Sequence, residues 1–557
     1  MQFDEQFDFV IAGSGAGSMV AALYLRVRGK RVLVLEKTDL VGGSTARSGG
    51  VMWIPCNPFM ARDGIEESSE RAAAYLENLT GGQQGAPAAS VERRRAFLSA
   101  APEMLDFLIQ QGIELERPRS WPDYYDERPG GSVPGRTVVA KVFDSRELGE
   151  WRERLRPSFI VLPGGMASSI EEMRELPLMK RCWAARRTLL KIVVRHLWAL
   201  LRGKRPVSGG AALQGRMLQA ALRSGVEVRT GVKVNRLLLE NGAVVGVACE
   251  HSGRSTQIGA SSGVLVNTGG FAHNRAMREQ YQPGTSPDWS AAAPGDTGEM
   301  IQEMERCGAE LVQMDAFVGY QSTIPPGSET AEIKPGVQGM TAAPHCILVD
   351  RSGVRYMNEG GSYMAYCRGM LERDRSVPAI PGWAIFDQQY METYMLAGTM
   401  PGSAKPQSWY EQGYLKQGDS IAALAQQIGV EPETLEATVN RFNGFVADNH
   451  DADFGRGERA YDRWLGDPLH RPSETLGAID SAPFYAVEVV PGDVGTYGGA
   501  LTDEHARVLR ADRSVIPGLY ATGVATGSVM GRVYPGAGCS IGPAFTFGYL
   551  AAKNAAG

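Results

Sequence analysis

A glycine-rich turn between two apolar runs near the amino terminus constrains the fold of this chain most strongly. Phe7–Ile11 (FDFVI) predicts a strand, residues 13–18 (GSGAGS) a tight turn, Met19–Arg28 a helix, and Arg31–Glu36 (RVLVLE) a second strand that ends in an acid. A strand–turn–helix–strand unit of about 30 residues with a terminal acid is typical of dinucleotide-binding domains. The sequence therefore predicts an α/β fold with a Rossmann-like domain.

Each position of this turn has a physical role in binding a dinucleotide. Gly13 permits the tight turn, Gly15 lets the backbone approach a pyrophosphate, and the helix amino terminus supplies N–H groups and the positive end of a dipole. Glu36 can accept hydrogen bonds from a ribose. Ser18 replaces the third glycine of the usual motif, a departure that we expect to loosen helix–strand packing slightly. The alternative is an ordinary glycine turn, which the flanking strands, helix and acid disfavour.

Glycine clusters recur along the chain and indicate further parts of the same domain. A second glycine-rich segment, residues 41–50 (VGGSTARSGG), follows the ribose acid, and a plain nicotinamide dehydrogenase is not expected to need it. Residues 263–271 (GVLVNTGGF) predict a strand that ends in a paired-glycine turn. The carboxyl end repeats this pattern with residues 518–523 (GLYATG) and a final helix near Ser540–Lys553.

The order of these segments predicts the domain organisation. We expect residues 1–280 and 481–557 to build one nucleotide-binding domain from two parts of the chain. Residues 281–480 lie between them and are predicted to form an inserted α+β substrate domain. A chain of 557 residues that is 43% hydrophobic has the length and the core for two or more domains.

Charge and cysteine usage exclude several classes of function. A formal net charge of −5 argues against general nucleic-acid binding, because phosphate contacts need a basic face. The cysteines include no CxxC pair and the histidines no HxH or HExxH pattern, so we predict no disulfide framework, iron–sulfur cluster or metal site. The amino terminus lacks the basic region of a secretory signal, and no apolar stretch reaches the roughly 18 residues of a membrane span. We therefore expect a cytoplasmic protein.

A basic insertion at about residues 176–206 differs in composition from the rest of the chain. Between Lys180 and Arg205 lie nine Lys or Arg residues and no acid, together with Trp183, Trp198 and a run of Leu, Ile and Val. This composition is typical of an amphipathic helix that lies on an anionic membrane surface. We therefore expect peripheral association with the inner face of the cell membrane. The alternative is a helix packed on its own protein or in a homo-oligomer interface, with a solvated basic face.

Blocks spread over nearly the whole chain resemble one family. The blocks are FDFVIAGSGAGS, GGSTARSGG, VLVNTGGF, VRYMNEGGSY, GDVGTYGGALTDEHARVL, GLYATG and YPGAGCSIGPAFTFGYLAA. Their order and spacing resemble those of the fumarate reductase and succinate dehydrogenase flavoprotein superfamily, and within it the 3-ketosteroid Δ1-dehydrogenases.

The resemblance implies FAD held in an extended form by the Rossmann-like domain. Its adenosine, pyrophosphate and flavin would follow one another from the first glycine turn to the second glycine segment. The last helix would point its amino terminus at the flavin N1/O2 edge, where reduced flavin gathers negative charge. The segment GGSTARSGG, where superfamily members with covalent flavin attach it, contains no His or Cys, so we expect non-covalent FAD. The implied cofactor-binding residues are Gly13, Gly15, Ala16, Gly17, Ser18, Glu36, Lys37, Gly42, Gly43, Ser44, Ser48, Gly49, Gly50, Gly269, Gly523, Ser540 and Ile541.

Tyrosines in three motifs carry the catalytic roles that the resemblance implies. Fumarate reductases place a proton-donating arginine where this chain has Tyr363, and tyrosine there matches the general base of the ketosteroid dehydrogenases. Tyr534 and Gly538, in YPGAG, match the hydroxyl and N–H groups that hold the steroid C3 carbonyl. The tyrosine that assists the base corresponds best to Tyr124, with Tyr125 as the alternative.

The implied reaction is 1,2-dehydrogenation of a 3-ketosteroid. Tyr363 would take the C2 proton, the C1 hydride would pass to flavin N5, and Tyr534 with Gly538 would stabilise the developing enolate. A tyrosine pKa near 10 is too high for a base at neutral pH, so we expect a hydrogen bond from Tyr124 to lower the pKa of Tyr363. A quinone or another acceptor is expected to reoxidise the flavin.

Two other functions fit the same sequence. One is a related flavoprotein oxidoreductase with another ketosteroid regiochemistry, or with an enoate substrate as in fumarate reductases. The other is a non-catalytic FAD scaffold at the membrane, which only the basic insertion favours.

Overall fold

A computed structural model describes residues 1–82 and 85–557. Its strands are β1 (Glu5–Ala12), β2 (Val32–Leu35), β3 (Val51–Trp53), β4 (Leu115–Glu116), β5 (Thr137–Ala140), β6 (Phe143–Asp144), β7 (Pro206–Val207), β8 (Glu227–Arg229), β9 (Lys233–Glu240), β10 (Ala243–His251), β11 (Arg254–Val266), β12 (Leu311–Val312), β13 (Phe317–Gly319), β14 (Cys346–Val349), β15 (Gly382–Phe386), β16 (Lys416–Gly418), β17 (Phe484–Val489), β18 (Asp493–Thr496), β19 (Gly499–Ala500), β20 (Arg507–Leu509) and β21 (Val515–Ala521).

The α-helices connect and cover these strands. They are α1 (Ala16–Val27), α2 (Gly43–Arg47), α3 (Pro58–Arg62), α4 (Ser69–Thr80), α5 (Val91–Gln110), α6 (Ile170–Glu175), α7 (Trp183–Leu201), α8 (Gly209–Arg223), α9 (Arg275–Tyr281), α10 (Glu299–Arg306), α11 (Gln338–Ala342), α12 (Tyr363–Asp374), α13 (Gln388–Thr393), α14 (Gln407–Glu411), α15 (Ile421–Ile428), α16 (Pro432–Ala447), α17 (Ala460–Leu465) and α18 (Ile541–Ala556).

The central sheet has the order β20-β21-β11-β1-β2-β8. From β21 to β8 the neighbouring strands are parallel, and β1 pairs with β11 on one side and β2 on the other. Helices α1 and α18 pack against one face of this sheet, whereas β9, β10 and α10 cover the other. Both faces are therefore buried, which explains why the predicted strands are continuous apolar runs.

The Rossmann-like α/β fold predicted from the sequence is confirmed. Strand β1 ends at Ala12 and α1 begins at Ala16, three residues before the predicted Met19, because Gly15 already occupies the N-cap position. The sheet combines strands from before residue 267 with β20 and β21 near the carboxyl end, so two segments of the chain build it.

The inserted part has an antiparallel sheet of its own, with the order β14-β15-β17-β16. Its bounds differ from the predicted residues 281–480. At the start, α10 packs its buried Met300 and Ile301 into the core beneath the central sheet. At the end, β17 pairs with β15 and β16, so this sheet ends at Val489. Two short ribbons, β12–β19 and β13–β18, connect the inserted part to the central domain.

Helix α7 forms within the predicted basic insertion, and much of its apolar surface is exposed. Trp183 is 76% exposed, Leu201 84% and Trp198 56%, whereas Ile192 is fully buried. The helix rests on α6, where Arg195 forms an ion pair with Glu172 at 2.7 Å. In the described ranges, 1–82 and 85–557, no helix has both the length and the apolarity needed to cross a bilayer.

Candidate active site

A cavity of about 550 Å³ lies at the carboxyl ends of the parallel strands. Residues directly after β1, β2 and β11 line it, which is where open α/β sheets bind their ligands. The sequence-predicted cofactor residues that line this cavity are Gly13, Gly15, Ala16, Glu36, Lys37, Gly43, Ser44, Ser48, Gly49, Gly269, Gly523, Ser540 and Ile541. Four others, Gly17, Ser18, Gly42 and Gly50, do not line it.

The first glycine turn is held against β11 by close backbone contact. Gly13 has φ +91°, and a Cβ there would lie 2.3 Å from the Asn267 carbonyl oxygen. The Asn267 amide, with its oxygen assigned toward the turn, accepts the N–H groups of Gly17 (3.0 Å) and Ser18 (2.8 Å) and the Ser18 hydroxyl. Ser18 is therefore a fully buried hydrogen-bonding residue rather than a source of loose packing.

Gly17 takes the packing role that the motif usually gives to its third glycine. A Cβ at Gly17 would lie 2.3 Å from Thr522 Cγ2 and 2.6 Å from the Ala544 carbonyl oxygen. Its own backbone also fills the space beside Gly548 of α18. The close approach of α1 to α18 thus depends on this pair of glycines.

The ribose acid Glu36 organises the turn around itself. One of its carboxylate oxygens accepts the Ser14 hydroxyl at 2.5 Å, and the other accepts the Thr38 N–H at 2.9 Å. Ser14 Oγ in turn accepts the N–H of Gly42, which has φ +112°. Gly42 therefore joins the two glycine segments without lining the cavity. The neighbouring Lys37 is paired with Glu299 at 3.1 Å.

The second glycine segment forms α2 and part of the cavity wall. Gly50 has φ +65°, and a Cβ there would lie 2.6 Å from the backbone of Gly209 and Gly210. Gly50 therefore packs this segment against α8. Ser44 donates a 2.8 Å hydrogen bond to Asp296, a buried acid in the cavity wall that the sequence did not single out. Burial raises the pKa of Asp296 to about 7.

The donor groups around this cavity fit FAD. The first residues of α1 and α18, Ala16 and Ile541, line the cavity, and neither N-cap residue, Gly15 or Ser540, caps its helix with a side chain. The Asn267 side chain already accepts the Gly17 and Ser18 N–H groups of α1, so α1 offers an anion mainly the positive end of its dipole. Arg47 and Arg156 also line the cavity, and the Nε of each is buried without a hydrogen-bond partner. These donors would hold the pyrophosphate and the polar edge of an isoalloxazine ring.

The three predicted catalytic tyrosines meet at one end of the cavity. The ring centroid of Tyr363 lies 5.4 Å from that of Tyr124 and 5.2 Å from that of Tyr534. The rings of Tyr124 and Tyr534 are 6.1 Å apart. All three line the cavity together with Gly538, although their positions in the sequence are far apart.

Tyr363 is the first residue of α12 and is half-buried, with its exposed surface on the cavity. Burial is the main cause that raises its pKa well above the usual tyrosine value, followed by the negative charges that Tyr124 and Tyr534 would carry if ionised. Hydrogen bonding to Tyr124 adds to this increase, because it favours protonated Tyr363. The lowered pKa expected from the sequence is therefore not found in this arrangement, in which desolvation dominates.

Tyr534 and Gly538 both line the cavity, and each is held in place by a close contact with the backbone of another residue. Tyr534 Oη accepts the Ser540 N–H at 3.2 Å, and burial raises the pKa of Tyr534 to about 12. Gly538 has φ +94°, and a Cβ there would lie 2.4 Å from the Val51 carbonyl oxygen. Within the described residues, no protein acceptor takes the Gly538 N–H. The Tyr534 hydroxyl and this N–H group therefore belong to residues that line the same cavity.

The structure distinguishes the position of Tyr124 from that of Tyr125. Tyr124 lines the cavity beside Tyr363, and its N–H donates to the Pro535 carbonyl at 2.8 Å. Tyr125 does not line the cavity. Of the two, Tyr124 is therefore the one that lies beside Tyr363 in the cavity.

A second aromatic group behind Tyr124 was missed from the sequence. The Tyr461 ring stacks on Tyr124 with centroids 4.1 Å apart, and its hydroxyl accepts the Gln338 side-chain N–H at 2.9 Å. Trp121 stacks on Trp464 at 4.7 Å and lines the cavity. The only local signal was the spacing of Tyr461 and Trp464 on one short helix, which does not reveal the partner.

Comparison with known proteins identifies the family. A family profile described as "FAD binding domain" matches residues 8–541. The chain belongs to this FAD-binding family. FAD is its cofactor, and the protein is an FAD-dependent oxidoreductase.

Curated members of this family share most of their length with the chain. It is 38% identical to a 3-oxosteroid 1-dehydrogenase of Mycobacterium tuberculosis, over 99% of this chain and 98% of the relative. It is 32% identical to a 4-oxocyclohexanecarboxylate 2-dehydrogenase of Sinomonas cyclohexanicum, over 99% of this chain and 93% of the relative.

A solved member of the FAD-binding family has the same fold throughout. This is the 3-ketosteroid Δ1-dehydrogenase from Sterolibacterium denitrificans in complex with 1,4-androstadiene-3,17-dione. It is 34% identical, with a TM-score of 0.92 over 99% of each chain. The likeness therefore covers both the central domain and the inserted part.

Proposed function

We propose that the protein is a 3-ketosteroid Δ1-dehydrogenase. The observation that carries this proposal is the convergence of Tyr363, Tyr124, Tyr534 and Gly538 on one end of the cavity whose other end fits FAD. The relatives named above act on ketones, and two of them on 3-ketosteroids, which supports the same substrate class for this chain.

Tyr534 and Gly538 would hold the substrate ketone. The Tyr534 hydroxyl and the Gly538 N–H would donate to the C3 oxygen and stabilise the negative charge that develops there as the C2 proton leaves. One such donor contributes about 3–4 kcal/mol to transition-state stabilisation. The Ser540 N–H supports Tyr534 from behind, since a donor to its oxygen makes its own O–H a stronger donor.

Tyr363 would be the base that takes the C2 proton, and bound FAD would supply the two-electron acceptor for the C1 hydride. Ionising an unperturbed tyrosine at pH 7 costs about 4 kcal/mol, and the raised pKa of Tyr363 adds to this cost. The Tyr124 hydroxyl can rotate to donate to the phenolate once it forms. Tyr461 and Gln338 would hold Tyr124 in place for this step.

Asp123 and Arg136 would keep this end of the cavity in position. The Asp123 carboxylate, buried next to Tyr124, accepts the Trp53 indole N–H at 2.8 Å and pairs with Arg136 at 2.9 Å. Trp53 and Asp123 also leave no room for a Cβ at Gly536, in the loop between Tyr534 and Gly538. The network therefore ties the segment of Tyr124 to the segment of Tyr534.

An anionic membrane surface is the proposed docking partner of α7, and a quinone dissolved in the membrane the proposed electron acceptor. The charge of α7 complements anionic lipid, because no acid lies between Lys180 and Arg205. Its exposed Trp183, Trp198 and Leu201 offer the apolar area that an interfacial helix inserts. The protein would then lie on the cytoplasmic side of the membrane, where sterol-like substrates and quinones both dissolve.

Anaerobic mixing with androst-4-ene-3,17-dione tests the proposal. Loss of the flavin absorbance together with formation of the 1,4-diene-3-ketone supports it. Flavin reduction by 4-oxocyclohexanecarboxylate but not by the steroid would indicate a small cyclic ketone as substrate instead. No reduction by either ketone would contradict the proposed chemistry and favour an enoate reductase or a non-catalytic scaffold.

A further inference from the structure

A buried positive charge without a carboxylate partner lies in the first turn of α5. Arg93 is 3% exposed, and its guanidinium donates to the carbonyl oxygens of Ala88 (2.6 Å) and Gly527 (3.0 Å). Its Nε is buried without a hydrogen-bond partner. In the part of the chain that the structure describes, no Asp or Glu forms an ion pair with it; the charge of Asp503 acts on it from beyond ion-pair distance, and Asp503 is itself paired with Arg507. Burial lowers the pKa of Arg93 to about 10, so the group stays charged at neutral pH.

Arg93 lines a second, small cavity that adjoins the FAD cavity. This cavity measures about 20 Å³, room for roughly one water molecule. Both cavities are lined by the same wall residues, Gly523, Val524, Ser540 and Ala544. The Arg93 side chain therefore lies behind the wall that separates it from the FAD cavity.

The same wall carries the amino terminus of α18. Ser540, the N-cap of this helix, and Ile541, its first residue, line the FAD cavity, so the positive end of the helix dipole lies at that cavity. The Ser540 side chain makes no capping hydrogen bond. Arg93 adds a full charge on the other side of this wall. A charge in a buried, weakly polarisable region acts over a longer range than one in water.

Reduction of FAD changes the charge of the cofactor next to this wall. Taking up two electrons and one proton at neutral pH leaves FAD with one additional negative charge, located on the pyrimidine part of the flavin. A nearby fixed cation stabilises the reduced form more than the oxidised form, and charges near the flavin ring are a recognised means of tuning its potential. Neutral donors could hold Ala88 and Gly527 together, and among the described residues the one contact that uses the charge is with the Phe547 ring of α18, whose centroid lies 4.6 Å from the guanidinium carbon.

We propose that Arg93 is a redox-tuning residue whose buried positive charge, behind the amino terminus of α18, raises the reduction potential of bound FAD. The proposal depends on FAD, which the family establishes, and not on the proposed steroid substrate. A higher potential would favour transfer of a hydride from a saturated carbon to the flavin. It would do so for any ketone that the site accepts.

Potentiometric titration of the FAD-loaded protein with dithionite, without steroid, tests the proposal. Arg93→Gln removes the charge and keeps hydrogen-bond donors, and Arg93→Lys keeps the charge. We expect Arg93→Gln to lower the equilibrium constant for reduction at least tenfold, which is about 30 mV for a two-electron couple. Arg93→Lys should retain most of the wild-type potential. An unchanged potential in Arg93→Gln, or an equal drop in Arg93→Lys, would overturn the proposal.

A second pair of variants tests the same coupling if Arg93→Gln does not fold. Ser528 lines the small cavity and is half-buried. Ser528→Asp places beside Arg93 the carboxylate that it lacks, and Ser528→Asn is the neutral control of similar size. A lower potential in Ser528→Asp but not in Ser528→Asn supports the proposal. Equal potentials in the two variants would show that this cavity is not electrostatically coupled to the flavin and would refute it.

Discussion

Tyr534 Oη lies 2.9 Å from Ser540 Oγ and also accepts the Ser540 backbone N–H at 3.2 Å. Because Ser540 is the N-cap of α18, this contact connects the proposed ketone-binding hydroxyl to the helix terminus that faces the FAD cavity. One short segment, residues 534–541, thus carries both the proposed ketone-binding group and the helix terminus at the cofactor cavity.

Removing the Tyr534 hydroxyl should lower turnover by at least about 100-fold, because one oxyanion donor is lost. The change is Tyr534→Phe, measured by steady-state dehydrogenation with FAD content determined in parallel. Tyr497→Phe is the matched control: its ring lies 5.8 Å from that of Tyr534, but its hydroxyl donates to the Cys539 carbonyl instead. Turnover of Tyr534→Phe near that of the control would refute the assigned role.

Removing the Tyr363 hydroxyl should lower turnover at least about 100-fold while FAD remains bound, since the base is lost. In the unmodified protein the pKa of Tyr363 is raised by burial, and only the deprotonated form accepts the C2 proton. The rate should therefore rise with pH through the alkaline range. The dehydrogenation rate is measured as a function of pH with a steroid that is chemically stable over this pH range. A rate that falls as the pH increases above neutral would contradict the prediction.

Tyr124→Phe should reduce the rate less than Tyr363→Phe and should shift the pH–rate profile to higher pH. In the structure Tyr124 favours protonated Tyr363, but in the proposed step its hydroxyl rotates and donates to the Tyr363 phenolate. Losing that donor destabilises the phenolate and raises the pKa at which Tyr363 becomes an active base. Tyr125→Phe is the control, since Tyr125 is the neighbouring tyrosine and does not line the cavity. A shift to lower pH would mean that Tyr124 only accepts a hydrogen bond from neutral Tyr363.

FAD should be released from protein precipitated with acid, because we expect its binding to be non-covalent. Among the described residues that line the cavity there is no His or Cys to which flavin could attach. Absorbance of the supernatant at the flavin maximum measures the released fraction. Yellow colour that stays in the washed pellet would disprove this prediction.

Retention of FAD should decrease as the pH rises through about 7, because Asp296 ionises in the cofactor cavity. Its pKa is raised to about 7 by burial, so the carboxyl is neutral below that pH and repels the FAD phosphates above it. Asp296→Asn should bind FAD with little pH dependence between pH 6 and 8. The exposed Asp39→Asn is the control, and an unchanged pH dependence in Asp296→Asn would exclude Asp296 as its origin.

Helix α7 should bring the protein to anionic liposomes at low salt, and binding should weaken as salt screens the charges. Ion pairs with Glu172 already engage Lys191 and Arg195, so the informative charges are those facing solvent. Binding should be lost in the triple variant Arg187→Glu, Arg202→Glu, Lys204→Glu. The triple variant Arg28→Glu, Arg95→Glu, Arg254→Glu makes the same change in net charge elsewhere on the surface and should still bind.

Activity on a soluble steroid should be unchanged in both triple variants, since none of these residues lines the cavity. If the unmodified protein does not co-sediment with anionic vesicles at low salt, α7 is instead a packing or oligomer element.

The dinucleotide-binding unit could be predicted from the sequence because its signals are local. An apolar run, a turn that needs positive φ at Gly13 and an acid at the end of the next strand lie within residues 7–36. The structure differs from this prediction only in the bounds of the elements; α1, for example, begins at Ala16. The end of the inserted part was harder to predict, because β17 belongs to its sheet only through pairing with β15 and β16.

The sequence by itself determined the cofactor domain, and its resemblance to a known family named the candidate tyrosines. Only the tertiary structure decided that Tyr124, not Tyr125, lies beside Tyr363. It also showed that Tyr461 stacks on Tyr124. Asp296 in the wall of the cofactor cavity and Arg93 in the adjoining cavity are buried for the same reason, the packing of distant segments. The physical reason is the distance along the chain over which each kind of interaction acts. Turn and strand preferences act between neighbours in the chain, whereas proximity and pKa depend on desolvation and contacts between segments hundreds of residues apart.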